Sequence, residues 1–303
     1  MNRRTFIQRA AVAAGSLALP RLHAAAPAFK LNYLLGSAMY GDLPLATVIE
    51  ETPRTGARFL DVWPRKWGTQ REQMDEIGHE KVAKLLTKHN VKLAVSTRYD
   101  LGPFKLRDEM DIVKKFGGNV IVTGGVGPVG LTGSELKKAV REFVEKLKPH
   151  LAKAAESGIS IAIENHAKNL IDSPDSLRWL VEFGQDQPLG VELAPYHLRQ
   201  DASVVAGLIK DLGIQIKVFC AWEHGHGCMN PMPKDEELLQ MPGRGTLDFR
   251  PILAALKAIR YTGFTEIFMH PTPRGVPILP TAAEVTVEIN RARKYLESGL
   301  AAI

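Results

Sequence analysis

The run Ile159-Ser-Ile-Ala-Ile-Glu-Asn-His166 turns from apolar to chemically active within its last three residues. In an extended chain Ser160, Ala162, Glu164 and His166 share one face, and Ile159, Ile161 and Ile163 share the other. A carboxylate and an imidazole on one face can move protons. They are also ligands for borderline divalent ions such as Mn²⁺, Co²⁺, Fe²⁺ or Zn²⁺. Related groups end other apolar runs. Asp61-Val-Trp63-Pro-Arg65-Lys66 closes one, and Thr97-Arg-Tyr-Asp100 closes another. Glu192 lies in phase with Gly190 and Ala194, before Pro195-Tyr-His197. Trp222-Glu223-His224-Gly-His226-Gly-Cys228 follows a further run. Glu266 and His270 are in phase with each other, before Pro-Thr-Pro-Arg274. Taken singly, Asp61 or Glu223 reads as an exposed polar residue at the start of a loop. Histidines and in-phase carboxylates on four runs read as one site.

Bringing such ends together requires parallel strands. Strand-like runs fall at 30–35, 56–63, 91–96, 119–123, 159–166, 189–194, 214–222 and 264–270. Helical periodicity falls between them, at 45–52, 81–89, 106–116, 134–157, 174–183, 202–212, 248–259 and 281–300. Pro149 is expected to kink the longest helix. Eight strand–helix units imply right-handed crossovers and a single (β/α)8 TIM barrel, with its chemistry at the C-terminal strand ends. The alternative, a doubly wound open sheet, calls for a phosphate fingerprint after the first strand, and Gly36-Ser-Ala-Met-Tyr-Gly41 lacks it. No G-x-S-x-G elbow is present. Cys220 lies within the seventh strand run, where a small buried residue is the simpler reading than a nucleophile paired with His224.

The first 26 residues are expected to be a signal peptide preceding one barrel domain, 27–303. Arg3-Arg4 precedes an Ala-rich apolar run and Ala24-Ala-Ala26, resembling a twin-arginine export signal. The expected location is therefore the periplasm or another exported compartment. The apolar run is too short for stable membrane insertion. Cleavage would remove Arg3, Arg4, Arg9 and Arg21 and no acid, lowering the net charge of +6 by those four, to +2. That residual charge argues against a nucleic-acid partner. Two cysteines are too few for a disulfide scaffold, although an oxidising compartment would permit a Cys220–Cys228 bridge.

Three segments carry a resemblance to the xylose isomerase-like TIM-barrel superfamily, the sugar phosphate isomerases/epimerases. Ile161-Ala-Ile-Glu164-Asn-His166 resembles the family's strand-five metal-binding glutamate segment. Pro195-Tyr-His197-Leu resembles the strand-six segment that ends on a substrate-binding histidine. Gly243-Arg-Gly-Thr-Leu-Asp248, with Tyr261-Thr-Gly263, resembles the connection between the last two strands. The resemblance implies a divalent metal (Mn, Co, Zn or Fe), a small-molecule carbohydrate substrate and proton abstraction next to a carbonyl. It is compatible with a homo-oligomer. The family's ligand set is Glu, Asp, His, Glu from strands five to eight. This chain keeps Glu164, has Ala194 at the aspartate position, no histidine in the body of strand seven, and Phe268 or Met269 where the last glutamate falls. The metal site is either rebuilt from Glu164, Glu192, His224 and His270, or lost. By the same mapping Glu164, Glu266 and His270 are the catalytic candidates. His166 and His197 would hold hydroxyls, Lys66, Arg244 and Arg274 an anionic group, and Trp63 and Trp222 a sugar ring. The same chemistry would serve an exported sugar lyase, and the barrel would also suit a glycoside-acting hydrolase or a non-catalytic sugar-binding protein with an eroded metal site.

Overall fold

Alternating apolar segments with β-branched residues become the strands, and amphipathic segments between them become the outer helices. The computed structural model describes residues 28–227 and 230–303, so the expected leader and Cys228 lie outside the described residues. Leu31–Ile303 forms one compact unit.

Eight parallel strands close into a barrel in chain order, each paired with its sequence neighbours, and β8 returns to β1. They are β1 Asn32–Gly36, β2 Phe59–Val62, β3 Lys92–Thr97, β4 Val120–Gly124, β5 Ser160–Glu164, β6 Leu189–Leu193, β7 Ile216–Ala221 and β8 Phe264–Ile267. The helices are α1 Leu45–Glu51, α2 Gln70–Ile77, α3 His79–Lys88, α4 Arg107–Lys115, α5 Gly133–Ser157, α6 Pro174–Phe183, α7 Ala202–Leu212, α8 Phe249–Ala258 and α9 Ala282–Ala301. No described helix is long and apolar enough to cross a membrane.

Local chemistry sets the helix boundaries. Ser173 and Thr281 each form a capping box at the start of α6 and α9, and Asp201 caps α7. The long helix begins one residue earlier than expected, at Gly133, and runs through Pro149 without ending. Helix α2 departs from the expected pattern. Met74 is its one fully buried apolar residue, so its periodicity is weak. Polar bonds hold it instead: Gln70 Nε2 donates to the carbonyls of Gly41 and Leu43, and Gln73 Oε1 accepts from the Leu45 amide.

The lower barrel interior is apolar, built from Leu34, Val95, Val120, Val122, Ala162 and Val218 with Phe59 and Phe264 packed against them. Six of the strands are shorter than the sequence runs implied, while β3 and β4 keep their lengths one residue further along. β5 ends at Glu164 and β8 at Ile267, so His166 and His270 belong to the following segments. One buried ion cluster ties the outer layer to the sheet. Glu109 of α4 accepts from Arg71 of α2 in two-toothed fashion, from Ser96 of β3 at 2.5 Å, and from Arg98. Removing one partner of a buried pair strands the other charge. Glu109→Ala is therefore expected to destabilise the barrel by about 3–5 kcal/mol in urea unfolding, against a near-neutral result for Glu145→Ala, whose ion pair with Lys148 is exposed.

Candidate active site

The mouth of the barrel holds a cavity of about 150 Å³ lined by Trp63, Trp67, Tyr99, Glu164, His166, Asn169, Trp222, His270 and Arg274. Every lining residue lies at or beyond the C-terminal end of a strand. The volume is small beside the roughly 300–1,000 Å³ of sites for drug-sized ligands, and suits a ligand of few atoms.

Glu164 is placed by the residue that follows it. Asn165 Oδ1 accepts from the Ala194 amide at 2.8 Å, and its Nδ2 donates to the Ala194 carbonyl at 3.0 Å. This two-bond clamp joins the ends of β5 and β6. Tyr99 Oη donates a short hydrogen bond to Glu164 Oε2. His197 Nε2 lies 3.6 Å from Glu164 Oε1, too far for a hydrogen bond. Burial, then His166, His270 and Arg274, hold the His197 imidazole well below its ordinary value, so this contact is not an ion pair. Burial pushes Glu164 up to about 7, opposed by the Tyr99 hydrogen bond and by Arg274.

Aromatic rings form the walls. Trp63 stacks on Phe268 at 5.1 Å and meets His270 edge-on at 5.3 Å. Trp222 stacks on Tyr196 at 3.8 Å and crosses His197 at 5.1 Å. Gln240 fixes this side: its Oε1 accepts from Trp222 Nε1 at 3.0 Å and its Nε2 donates to the His270 carbonyl at 3.0 Å. His270 is 4% exposed and its Nδ1 has no protein partner. Burial first, then Arg274 and His166, hold its imidazole well below the usual value. His166 is lowered too, chiefly by burial, and its Nδ1 lies 2.8 Å from the Ala167 carbonyl oxygen. All three imidazoles at the mouth are therefore neutral at pH 7.

A second layer of acid lies within the barrel. Asp61, Glu192 and Glu266 are each at most 2% exposed. Asp61 Oδ2 accepts from Thr97 at 2.6 Å, while Asp61 Oδ1, Glu192 Oε2 and Glu266 Oε1 have no protein partner. Burial pushes Asp61 up to about 8. Burial and the neighbouring acids raise Glu192 and Glu266 well above the carboxylate range. Gly36 makes room for Glu266, because a Cβ there would sit 2.1 Å from Glu266 Oε1.

The structure thus gathers Trp63, Glu164, His166, Trp222, His270 and Arg274 around one cavity, with His197 against Glu164. Five sequence-predicted site residues do not meet there. Glu266 and Glu192 are buried inside the barrel and do not line the cavity, although Glu192 is the register partner of Glu164. Arg244 is engaged elsewhere, with Nε and Nη2 each 2.7 Å from the two carboxylate oxygens of Glu288 on α9. His224 sits in a turn at φ +85°, its ring facing His226 and its amide donating to Gln200. Lys66 is exposed, its Nζ 5.7 Å from the Trp67 ring on which Arg274 also rests. Glu223, a rim carboxylate by sequence, is buried and anchors the 243–247 loop by accepting from the Gly243 and Leu247 amides. Sequence reasoning missed Tyr99, although it is in phase with Val95 and Thr97 on β3, and missed Asn165, Gln240, Trp67 and Asn169.

For a divalent ion, the expected quartet Glu164, Glu192, His224 and His270 does not converge. Among the described residues one group places three donor atoms within 4.8 Å of one another: Glu192, Cys220 and Glu266, all buried. Cys220 is a free thiol.

Residues 49–288 match the family model described as xylose isomerase-like TIM barrel, and the chain belongs to that family. No curated protein matches the sequence significantly. Several solved structures share the fold. An L-ribulose 3-epimerase superposes with a TM-score of 0.66 at 14% identity, over 90% of this chain and 95% of its own. A D-psicose 3-epimerase from Clostridium cellulolyticum H10, solved with D-tagatose, gives 0.66 at 15%, over 89% and 99%. The IolI protein, solved with a bound zinc atom, gives 0.65 at 15%, over 90% and 99%. At these identities the likeness is one of fold.

The buried acids make stability depend on pH. A carboxyl whose folded value is raised above its ordinary value near 4 adds stability that is complete below that value and is lost as pH rises through the folded one. With Asp61 at about 8 and Glu164 at about 7, the melting temperature of chelator-treated protein is expected to fall between pH 5 and pH 9. Asp61→Asn keeps the oxygen that accepts from Thr97 and is expected to flatten that decline in differential scanning calorimetry; an unchanged slope would show that Asp61 is ionised throughout.

Proposed function

We propose that the protein is a monosaccharide isomerase or epimerase in which Glu164 takes the proton from the carbon next to the substrate carbonyl. One observation carries this reading: a carboxyl at about 7 faces a small, aromatic-walled cavity at the mouth of a barrel of this family. A general base works best when its value lies near the operating pH. Glu164 is held near 7 by burial and kept from rising further by Tyr99 and Arg274. The Tyr99 bond to Oε2 leaves Oε1 as the oxygen for proton transfer.

The other residues divide the remaining work. The indole faces of Trp63 and Trp222 offer apolar surface to the C–H face of a sugar ring. Neutral His270, with Nδ1 unpartnered, suits a hydrogen bond to the substrate oxygen that gains charge as the proton leaves. Neutral His166, on the cavity wall, suits a substrate hydroxyl group, and His197 packs behind Glu164. Arg274 balances the charge that accumulates on the enediolate, or pairs with a carboxylate of an oxidised sugar. A divalent ion bound at the cavity would add Lewis-acid polarisation of the substrate oxygens. The relatives named for sugar 3-epimerases support this class of chemistry, and the small cavity with its aromatic walls supports a small carbohydrate as substrate.

The test follows the proton. In D₂O, the wild-type enzyme is expected to incorporate deuterium from solvent at the carbon next to the carbonyl of a turned-over ketose, read by ¹H NMR. Glu164→Gln should slow that exchange by about 10²–10⁴-fold, the range for loss of a general base. Unchanged exchange in this variant would overturn the assignment. The wild-type kcat/KM should fall as pH drops below about 7, because Glu164 must be ionised to accept the proton.

We also propose that the protein acts after export through its Arg3-Arg4 leader. Arg3→Lys with Arg4→Lys should retain an intact, uncleaved chain in the cytoplasm on cell fractionation. Normal export of this double variant would refute a twin-arginine route.

A further inference from the structure

Inside the barrel and off the cavity wall, three consecutive strands bring donor atoms close together. Glu192 comes from β6, Cys220 from β7 and Glu266 from β8, and their ligand atoms lie within 4.8 Å of one another. The backbone fixes this convergence. Cys220 is the register partner of Glu266, while β6 slips by one residue against β7 at Val191/Glu192, which sets Glu192 opposite Val218. All three side chains are nearly sealed from solvent, with residue exposures of 2%, 2% and 1%.

Acids in proximity do not make a site by themselves. Here a second observation points to a ligand. Glu192 Oε2 and Glu266 Oε1 are each buried without a hydrogen-bond partner, and Asp61 Oδ1 is in the same condition. Buried polar atoms are almost always satisfied, so each exception calls for an explanation. A proton shared between Glu192 and Glu266 would serve one oxygen of each and leave the thiol idle. A cation would satisfy both carboxylates and the thiolate together.

We propose that Glu192, Cys220 and Glu266 form a buried divalent-cation site of the zinc class. The donor types select the ion. Magnesium and calcium take oxygen donors and coordinate six or more of them. A thiolate with two carboxylates instead favours a borderline ion such as Zn²⁺ or Co²⁺. Tetrahedral donors at about 2.0–2.3 Å from such an ion stand about 3–4 Å apart, so the observed spacing needs only a small contraction. Ala194 and Phe268, the first residues past β6 and β8, offer no side-chain donor, and none of the three donor residues lines the substrate cavity. The ion ties β6, β7 and β8 at their inner faces and neutralises the acids beneath Glu164. This assignment rests on the donor geometry and is independent of the reaction proposed for the cavity.

Cobalt is the probe, because a Co²⁺–thiolate bond gives a near-ultraviolet charge-transfer band that oxygen and nitrogen ligands do not. Full-length protein expressed in cobalt-supplemented medium is expected to carry one Co²⁺ per chain by elemental analysis and to show this band. X-ray absorption at the cobalt edge should find one sulfur neighbour. Cys220→Ser should abolish the band, and Cys228→Ser should leave it intact. Glu192→Gln and Glu266→Gln, each checked for fold by circular dichroism, should weaken cobalt binding by more than about tenfold, the scale on which loss of even an outer-shell partner acts. Glu164→Gln should retain the cobalt and its band whatever happens to turnover. Absence of cobalt from folded wild-type protein, an edge spectrum without sulfur, or a band that survives in Cys220→Ser would each overturn the site. The edge spectrum needs no variant, so the outcome stands even if a substituted chain fails to fold.

Discussion

Sealing carboxyl groups inside a closed barrel is the constraint from which the site follows. Moving an ionised carboxylate from water into protein costs several kcal/mol even after relaxation. The barrel holds four acids in this condition, Asp61, Glu164, Glu192 and Glu266. Each must be protonated, hydrogen-bonded or paired with a cation. The surroundings supply hydrogen bonds sparingly: one hydroxyl from Thr97 for Asp61 and one phenol from Tyr99 for Glu164. The same dry environment drives protons off the imidazoles, which become neutral donors and acceptors rather than counter-ions. Raised acids beside neutral histidines are thus two outcomes of one desolvation.

Clamps beyond the strand ends make this arrangement rigid. Asn165 ties β5 to the first residue after β6, so Glu164 cannot shift without disturbing the backbone at Ala194. Gln240 joins the indole of Trp222 to the carbonyl of His270, across the gap between β7 and β8. Glu223 turns its carboxylate away from the cavity and gathers two amides of the 243–247 loop. A carboxylate on the rim of a barrel therefore has two fates. It serves the cavity where the adjoining loop leaves it space, and it becomes a loop anchor where glycine-rich backbone presents amides to it.

The barrel was legible because period-two and helical patterns alternate cleanly along the chain, and eight such units have few closed solutions. Glu164 was legible for the same reason, since strand phase alone turns it inward. The strand ends were less so. Helix α2 escaped notice because amide side chains rather than an apolar stripe hold it. Glu192 and Glu266 were correctly phased but assigned to the wrong depth, because phase reports which face a residue occupies and not which layer. His224 and Arg244 failed for a different reason. Both lie on loops, where proximity depends on turn geometry and on partners distant in sequence, such as Gln200 and Glu288. Tyr99 was readable from its phase with Thr97, but its partner Glu164 lies 65 residues further along the chain, so the bond itself was not.

Depth also explains why one acid among four is suited to act as a base. Asp61, Glu192 and Glu266 lie inside the barrel and off the cavity wall, so whatever their protonation, a substrate at the mouth does not reach them. Their mutual repulsion adds to desolvation for Glu192 and Glu266, which raises both groups well above the ordinary carboxylate range unless a cation compensates. Glu164 lines the cavity, and there the Tyr99 hydroxyl and the Arg274 guanidinium offset part of the burial and leave it at about 7. The layer below therefore does more than fill space. By keeping its own acids neutral or cation-bound, it spares Glu164 the full field of three neighbouring carboxylates. Had those acids been ionised and uncompensated, their charge would add to the burial that already raises Glu164 and make it a poorer base at neutral pH.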